Sequence, residues 1–284
     1  MGIDSSQMTQ ATLEKNVQKI LVTGAAGYLG GVLRRGLRPD YHLRLSDRLP
    51  LSSPPSGGEE FFLARLEDFD SLAETMQGID SVIHLGGASS EAPWDTILNA
   101  NIAGTYNVFE CARLAGVKRV IFASTHHVVG FYRRNRIIGT ADPVRPDTRY
   151  GVSKVFGEAL GRLYADKYGL SVICQRIGVA RPRPPHRRAL SNWLSERDYV
   201  QLTRRCLEAT DVHFRILFAV SASSAGFYDP AAASDIGFTP QDDADDFHVE
   251  VFSRNPEAEP LVEGLFQGGT FCAAEFKGNV EDID

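Results

Sequence analysis

The chain has 284 residues, of which 43% are hydrophobic and 23% charged, and its formal net charge is -6. This length and composition predict a globular protein with one substantial core, and the acidic balance argues against nucleic acid or an anionic membrane as a partner. No apolar run is long enough to span a bilayer, and the N-terminus lacks a signal-peptide pattern, so we expect a cytoplasmic protein.

The four cysteines give no sign of a metal site or of disulfides. Cys111, Cys174, Cys206 and Cys272 are far apart, and no Cys-x-x-Cys pair is present. Single cysteines on apolar segments are typical small core residues, and unpaired thiols suit a reducing compartment. We therefore predict no bound metal.

The predicted elements begin after a polar leader, residues 1–18, which we expect to be disordered. Residues 19–23 form a short apolar run typical of a buried strand, and apolar residues then recur at helical spacing. Between them lie Gly24, Gly27 and Gly30. The first glycine permits a tight turn, the second lets backbone approach a pyrophosphate, and the third lets helix and strand pack closely. This order predicts a dinucleotide-binding site; a tight turn without a ligand is the alternative.

A second predicted strand, residues 41–45, ends close to Asp47. A carboxylate about twenty residues after the glycine turn suits the ribose hydroxyls of adenosine and repels a 2'-phosphate, which favours NAD over NADP. The neighbouring Arg48 keeps NADP open, because an arginine pairs with such a phosphate. An aspartate that only closes the strand-end turn is the structural alternative.

A glycine-rich segment follows the strand predicted over residues 81–85. Gly86 and Gly87 lie at the carboxyl end of that strand, where a doubly wound sheet binds its ligands. We expect their backbone to pass close to the cofactor and Ser89 to reach toward the substrate. His84, inside the strand, is expected to be a core histidine.

The next helix and strand supply two more candidates. A long helix predicted over residues 94–114 carries Asn101, whose amide we expect to hold neighbouring backbone in place. The strand predicted over residues 117–123 is followed by Thr125. A hydroxyl at a strand end is well placed to face a substrate oxygen.

Tyr150 and Lys154 are the main catalytic candidates. Residues i and i+4 of a helix share a face, so phenol and ammonium point into one pocket. An unperturbed Tyr titrates near ~10, and a fixed cation favours the phenolate. We therefore expect Lys154, together with a nicotinamide cation, to lower the pKa of Tyr150. With Thr125 opposite, this predicts a general base beside a substrate hydroxyl.

The chain changes character after a strand predicted over residues 171–177. Residues 181–188 are basic and proline-rich, which predicts a lid over the substrate, and an arginine there suits a carboxylate. Ser195 has the pattern of a cap that opens a helix. The arginine-rich residues 133–136 are expected to form a solvated loop; a phosphate clamp is the alternative.

The alternation of strands and helices predicts an α/β fold: a doubly wound parallel sheet (Rossmann fold) with a small C-terminal substrate-binding lobe. We predict an NAD-binding Rossmann core over residues 19–178. Residues 179–284 are predicted to be the substrate-binding portion, which contributes further strands and helices to the same domain.

The glycine turn, Thr125 and the Tyr150/Lys154 helix together resemble the extended short-chain dehydrogenase/reductase superfamily over residues 19–178. The resemblance implies that Tyr150 is the acid/base, that Lys154 lowers its pKa and holds the nicotinamide ribose, and that Thr125 orients the substrate oxygen. Asn101 stands in the place of the supporting asparagine. The implied cofactor residues are Gly24, Gly27, Tyr28, Leu29, Gly30, Asp47, Leu85, Gly86, Gly87, Asn101, Tyr150 and Lys154.

A narrower resemblance, to the uronate dehydrogenase family, spans nearly the whole chain. Its motifs lie at residues 82–87, 150–158, 176–178, 190–195 and 266–271. The resemblance implies NAD-dependent oxidation of glucuronate or galacturonate at C1 to the aldarolactone, with the sugar carboxylate held by an arginine. The implied substrate contacts are Ser89, Thr125, His126, Arg188 and Phe271.

The chain departs from that family at three positions of the site. His126 replaces an asparagine, Tyr28 replaces a glutamine, and Arg65 stands where an adenine-contacting aspartate is expected. Cofactor chemistry is compatible with all three, whereas His126 alters the substrate pocket.

The sequence also fits two other functions. A nucleotide-sugar epimerase or dehydratase uses the same core, although the residues after Gly178 leave little room for a nucleotide lobe. A non-catalytic NAD-binding regulator is the third hypothesis, against which the Tyr/Lys pair argues. The superfamily resemblance further implies a homo-oligomer paired through the helices over residues 94–114 and 146–168.

Overall fold

The computed structural model describes residues 17–254, 257 and 259–283. The predicted leader, residues 1–18, thus lies outside the described residues except for its last two positions. The strands of the described chain are β1 Lys19–Thr23, β2 His42–Asp47, β3 Glu59–Leu63, β4 Ser81–His84, β5 Arg119–Thr125, β6 Ser171–Ile177, β7 Val179–Ala180, β8 Trp193–Leu194 and β9 Phe214–Ala219.

Seven of these strands form one sheet in the order β3-β2-β1-β4-β5-β6-β9, and β7 pairs with β8 separately. Every neighbouring pair in the large sheet is parallel. The chain builds outward from β1 to β3 and then, starting at β4, in the opposite direction. The predicted doubly wound sheet is therefore confirmed, and its ligand crevice is expected where the strand order reverses, between β1 and β4.

Helices cover both faces of the sheet, and none of the described helices has the length and apolar character that crossing a membrane requires. The α-helices are α1 Tyr28–Leu37, α2 Phe69–Thr75, α3 Trp94–Thr96, α4 Gly104–Leu114, α5 Arg149–Tyr168, α6 Glu196–Glu208, α7 Ala231–Ser234, α8 His248–Arg254, α9 Leu261–Leu265 and α10 Thr270–Ala273. A π-helix, Ile97–Ala103, joins α3 to α4, so the long helix predicted over residues 94–114 is continuous but locally widened.

The sheet separates two apolar cores, and alternate residues of each strand feed one or the other. In β1, Ile20 packs on the side of α1 and α6, together with Tyr199. Leu21 packs on the opposite side with Phe109 of α4 and Leu160 of α5. Because both faces are covered, the central strands β1, β4 and β5 are buried along nearly their whole length.

Helix α5 approaches the sheet unusually closely at Gly157. A Cβ at this position would lie 2.2 Å from the Phe122 ring of β5. This close packing brings Lys154, one turn earlier, to the carboxyl end of β5, where its Nζ donates to the Ala123 carbonyl at 2.9 Å. The helix begins after Thr148, whose Oγ1 accepts the Gly151 amide at 3.0 Å.

His84 is a core histidine, as predicted. It is fully buried, with Nδ1 2.8 Å from Thr23 Oγ1 and Nε2 3.3 Å from Thr105 Oγ1. Burial lowers its pKa to about 3, so the ring is neutral at physiological pH. The four cysteines are also buried and unpaired, which confirms that they are core residues.

The arginines of residues 133–136 do not all form a solvated loop, and this prediction is wrong for the first two. Arg133 donates to the carbonyls of Val280 and Ile283, each at 2.8 Å. Arg134 donates to the Phe266 carbonyl at 3.2 Å and forms an ion pair with Glu259. Carbonyls far along the chain are the acceptors, which local sequence does not reveal. These contacts fix the C-terminal segment against the core.

Candidate active site

A cavity of about 1100 Å³ lies along the carboxyl ends of the strands of the large sheet. All the predicted site residues except Asn101 line it. They are Gly24, Gly27, Tyr28, Leu29, Gly30, Asp47, Leu85, Gly86, Gly87, Ser89, Thr125, His126, Tyr150, Lys154, Arg188 and Phe271. The fold thus brings together residues as far apart in sequence as Gly24 and Phe271, as the motifs predicted.

The turn between β1 and α1 requires its glycines. Gly24 has φ +73°, and a Cβ there would lie 2.7 Å from the Gly86 amide nitrogen. A Cβ on Gly30 would lie 2.6 Å from the Ala25 carbonyl oxygen. Helix α1 starts directly after Gly27, without a side-chain cap. The first residues of α1 line the cavity, and the helix itself supplies no acceptor for their backbone amides. Free amides at a helix N-terminus are the arrangement that binds phosphate groups.

Asp47 ends β2 at the rim of the cavity, and backbone amides hold its carboxylate. Oδ2 accepts the Ala26 amide at 2.9 Å, and Oδ1 accepts the Leu49 amide at 3.0 Å. These bonds fix the carboxylate beside the glycine turn. Each oxygen keeps a further lone pair, so the group has capacity to accept ribose hydroxyls.

Tyr28, which stands in the glycine turn, connects this turn to the second half of the chain. Its hydroxyl donates to Glu196 at 2.9 Å, and Arg181 lies over its ring at 5.7 Å. Burial and the Glu196 carboxylate raise the pKa of Tyr28 to about 12. The phenol is therefore a neutral donor that links α1 with α6 and with the basic loop.

Asn101 acts on the cavity through backbone rather than by lining it. Its Oδ1 accepts the Ala88 amide at 2.7 Å, and its Nδ2 donates to the Ala88 carbonyl at 3.0 Å and to Ser153 Oγ at 2.9 Å. Ser153 in turn donates to the Tyr150 carbonyl at 2.7 Å. This chain of bonds ties the glycine segment after β4 to α5. Asn99 and Ala100, which do line the cavity, escaped prediction because the π-helix shifts the face that this segment presents.

Tyr150, Lys154 and Thr125 converge at the middle of the cavity. The Lys154 ammonium lies 5.8 Å from the centre of the Tyr150 ring and 5.0 Å from that of Phe122. The Thr125 hydroxyl and the Tyr150 phenol line the same part of the cavity. All three residues are buried. The site therefore holds a phenol, an ammonium and a hydroxyl away from bulk water.

The protein alone does not lower the pKa of the phenol, contrary to the effect expected of Lys154. Burial raises the pKa of Tyr150 to about 12, and the neighbouring Thr125 hydroxyl opposes this rise. Burial also lowers the pKa of Lys154 to about 8. Both shifts have the same cause, because a low-dielectric site disfavours phenolate and ammonium alike.

Arg188 stands at the opposite end of the cavity from the glycine turn. It is only 6% exposed, and its Nη1 donates to the Gln267 carbonyl at 3.0 Å. No carboxylate of the described chain lies within ion-pair distance of it. Burial lowers its pKa. A buried guanidinium without a counter-ion is costly, so it favours an anionic ligand.

Two histidines line the space between Thr125 and Arg188. The rings of His126 and His127 lie 4.0 Å apart, and His127 stacks on Phe271, also at 4.0 Å. His126 Nδ1 is buried without a hydrogen-bond partner in the described chain. Burial keeps the pKa of both rings well below the usual value. The pocket therefore offers neutral imidazoles to a ligand.

Sequence reasoning missed the residue that holds His127. Its Nδ1 lies 2.6 Å from Asp147 Oδ2, in a buried pair. Burial raises the pKa of Asp147 to about 7. No functional role was predicted for Asp147 from the sequence. A pairing across twenty positions of irregular chain has no periodic signal that could have found it.

Glu91 is a second residue that the sequence did not indicate. Its Oε2 accepts the Tyr150 amide at 2.8 Å, and its Oε1 pairs with Arg149 at 2.6 Å. A carboxylate at the first turn of α5 satisfies an amide that the helix itself leaves free. Glu91 thus fixes the start of the helix that carries the phenol.

The arrangement of the site by itself defines a class of protein. A doubly wound sheet with a glycine turn, a strand-end hydroxyl and a Tyr/Lys helix is the core of the short-chain dehydrogenase/reductase type. The chain belongs to the NAD-dependent epimerase/dehydratase family, whose sequence model matches residues 20–182.

Curated relatives and solved structures extend the likeness beyond that core. The uronate dehydrogenase of Pseudomonas syringae pv. tomato is 40% identical over 264 residues, which is 93% of this chain and 96% of that protein. The NAD-dependent glucose-6-phosphate dehydrogenase of Haloferax volcanii is 37% identical over 87% of this chain and 99% of that protein. A crystal structure of a mutant uronate dehydrogenase from Agrobacterium tumefaciens complexed with NAD is 39% identical, covers 90% of this chain and 97% of that one, and superposes with a TM-score of 0.87.

Proposed function

We propose that the protein is an NAD-dependent dehydrogenase that oxidises glucuronate or galacturonate at C1 to the aldarolactone, with Tyr150 as the base. The observation that carries the substrate class is the buried guanidinium of Arg188, which has no carboxylate partner in the described chain and lies in the same cavity as the phenol. The uronate dehydrogenases that cover nearly the whole chain support the same reaction.

The residues of the glycine end fit a dinucleotide. A Cβ at Gly24 or Gly30 would collide with backbone within 2.7 Å, so the cradle exists only with glycine. The first amides of α1 would bind the pyrophosphate, and Asp47 would accept the ribose hydroxyls. Lys154 would hold the ribose next to the reacting ring. When bound, NAD accepts the hydride and brings a positive nicotinamide charge close to the phenol.

Tyr150 takes the proton from the sugar hydroxyl. To do so near neutral pH, its pKa must fall from about 12, and each unit requires about 1.4 kcal/mol of preferential stabilisation of the phenolate. Lys154 supplies part of it as a cation within the buried site. Thr125 donates to the phenolate or to the substrate oxygen, and so keeps the two oxygens aligned.

Arg188 would hold the substrate carboxylate in a bidentate contact. The aromatic pair of Phe271 and His127 lines one wall. Ser89 and His126, which also line the cavity, would bind hydroxyls. A fixed carboxylate orients the sugar ring, so the hydroxyl on C1, rather than another hydroxyl of the sugar, lies next to the base.

The test is NADH formation with a panel of uronic acids, neutral sugars, sugar phosphates and nucleotide sugars. We expect activity with glucuronate or galacturonate, and a KM for uronate that rises roughly 10- to 100-fold in Arg188→Ala, as for a lost charged hydrogen bond. Arg183→Ala removes an exposed arginine of the same loop and should leave KM unchanged. Full activity on uronate in Arg188→Ala would contradict the carboxylate clamp.

A sugar phosphate is the second candidate substrate. An arginine suits a phosphate as well as a carboxylate. His126 Nδ1 is buried without a partner in the described chain, and a phosphate, which has more oxygens than a carboxylate, would give it one. Oxidation of a sugar phosphate in preference to uronates would identify a sugar phosphate as the substrate.

Two other functions predict different results. Tightly bound NAD that co-purifies without net NADH formation would favour an epimerase. Dinucleotide binding with no turnover of any sugar would favour a regulator.

We also propose that the protein is a cytoplasmic homo-oligomer. Tyr106 and Leu114 on α4, and Leu163 and Tyr168 on α5, are large apolar side chains that are each more than 44% exposed. Pairing of these helices with a second copy would cover them. Sedimentation as a monomer at micromolar concentration would contradict the proposed homo-oligomer.

The proposed location in the cytoplasm is supported by the four unpaired thiols, which suit a reducing compartment.

A further inference from the structure

Two arginines lie at the end of the cavity where β2 and β3 finish. Arg48 directly follows Asp47, the last residue of β2, and Arg65 comes two positions after Leu63, the last residue of β3. Asp47 and Leu63 are register partners in the sheet, so the two strand ends lie side by side. Both arginines line the cavity, on the wall that also carries Asp47.

Neither guanidinium is neutralised by a close ion pair. Arg48 is exposed and has no carboxylate within ion-pair distance in the part of the chain that the structure describes. Arg65 has a side chain that is 66% exposed, and its only described counter-ion is Glu67 at 3.8 Å. This long contact leaves the other donors of Arg65 free to turn toward a ligand.

Asp47 does not occupy these arginines, because its carboxylate is bound elsewhere. Its two oxygens accept the amides of Ala26 and Leu49. These amides fix the carboxylate and offset part of its negative charge. The wall therefore presents two exposed cations beside one restrained anion, and Glu67 lines the same cavity.

From this arrangement we propose that the wall formed by Asp47, Arg48 and Arg65 also accepts a ribose 2'-phosphate, so that the protein binds NADP as a second cofactor besides NAD. The inference rests on the proposed dinucleotide function. A monoester phosphate carries about -1.5 to -2 charges at neutral pH. Two planar guanidinium groups match its oxygens, and their attraction opposes the repulsion from the carboxylates of Asp47 and Glu67. NAD keeps its own contact, since the ribose hydroxyls reach Asp47.

The test is titration calorimetry with NAD and NADP, and with 5'-AMP against adenosine 2',5'-bisphosphate, which needs no sugar substrate. We expect the wild-type Kd for NADP to lie within ~30-fold of that for NAD, and adenosine 2',5'-bisphosphate to bind more tightly than 5'-AMP. Arg48→Ala and Arg65→Ala should each weaken NADP by ~10-fold or more and change NAD by less than ~2-fold. Arg38→Ala, an exposed arginine outside the cavity wall, is the matched control for loss of one positive charge.

Three results would overturn the inference. One is a wild-type Kd for NADP that is more than ~30-fold weaker than that for NAD. Another is an equal loss of NAD and NADP affinity in Arg48→Ala and Arg65→Ala. The third is binding of neither dinucleotide, which would remove the proposed function as well; NAD binding with no NADP binding would remove this inference alone.

Discussion

The two ends of the cavity are built from different parts of the polypeptide. At the cofactor end, the surface is largely backbone: glycines, the first amides of α1 and a carboxylate held by two more amides. At the substrate end it consists of buried side chains, namely Arg188, His126, His127 and Phe271. The first end lies within the early βα units, whereas the second collects residues from position 126 to position 271.

This difference separates what is general from what is specific. A backbone surface recognises phosphates and ribose, which every dinucleotide shares. A side-chain surface changes with each substitution, so it sets the choice of sugar. Tyr150 and Lys154 lie where the two ends meet. Substitutions there and at each end test whether the two ends act independently.

The largest effect is expected for Tyr150→Phe, because it removes the base and leaves both ends intact. Turnover should fall by roughly 10²- to 10⁴-fold, the range for loss of a positioned acid/base. The Kd for NAD should rise by less than ~10-fold, since the substitution removes one implied cofactor contact and leaves the glycine cradle intact. Steady-state kinetics and calorimetry on the same preparation measure the two quantities.

Tyr164→Phe is the matched control on the same helix. Its hydroxyl donates to Glu110, away from the cavity, so turnover should remain near that of the wild type. A Tyr150→Phe protein with wild-type turnover would move the base elsewhere, and Asp147 beside His127 would be the next candidate.

Gly30→Ala should break the cofactor end alone. The added Cβ would lie 2.6 Å from backbone atoms of Ala25 and Gly24, and neither is a flexible side-chain end. Overpacking of this kind costs about 1–3 kcal/mol in free energy of unfolding, and the shift of the turn should weaken NAD binding. Urea denaturation and calorimetry provide the measurements.

Gly31→Ala, one residue later in the same helix, provides the comparison. A Cβ there would meet only the end of Arg35 at 3.6 Å, and alanine is the better helix former by about 1 kcal/mol. We expect equal or greater stability and unchanged NAD affinity. Equal losses in both variants would show that helix α1, rather than the glycine cradle, is sensitive to any added side chain.

The sequence was sufficient to predict the cofactor end, and the reason is physical. Gly24, Gly27 and Gly30 are required by short-range geometry, so they leave a local pattern within one strand–turn–helix unit. The Tyr150/Lys154 pair likewise follows from one helical turn. A parallel sheet follows from the alternation of strands and helices, and the seven parallel strands agree with it.

The substrate end was predictable only where the family resemblance named a residue. Phe271 lies in the C-terminal segment that Arg133 and Arg134 anchor, a contact that local sequence does not indicate. The Asp147–His127 pair depends on how irregular chain folds back before α5. The rise in the pKa of Tyr150 was also missed, because burial of the site outweighs one neighbouring cation.

The smallest expected effect is on stability, in Lys154→Met. Burial lowers the pKa of Lys154 to about 8, against ~10.4 for an unfolded lysine, and this difference corresponds to about 3 kcal/mol against the charged native state. Methionine avoids that cost but leaves the Ala123 carbonyl without its ammonium donor. We therefore expect a net gain of about 1–2 kcal/mol in free energy of unfolding at pH 7, with activity largely lost.

The pH dependence gives this prediction its sign. The unfolded chain keeps the lysine proton up to ~10.4 whereas the native state releases it near 8, so wild-type stability contains an increment that grows with pH between those values. The gap between Lys154→Met and wild type should accordingly narrow in urea titrations from pH 8 to 10. Lys167→Met, exposed at the end of the same helix, should show no such trend. If the difference in free energy of unfolding between the variant and the wild type stayed constant with pH, the buried ammonium would cost the fold little. The site where the two ends meet would then tolerate a charge better than its burial indicates.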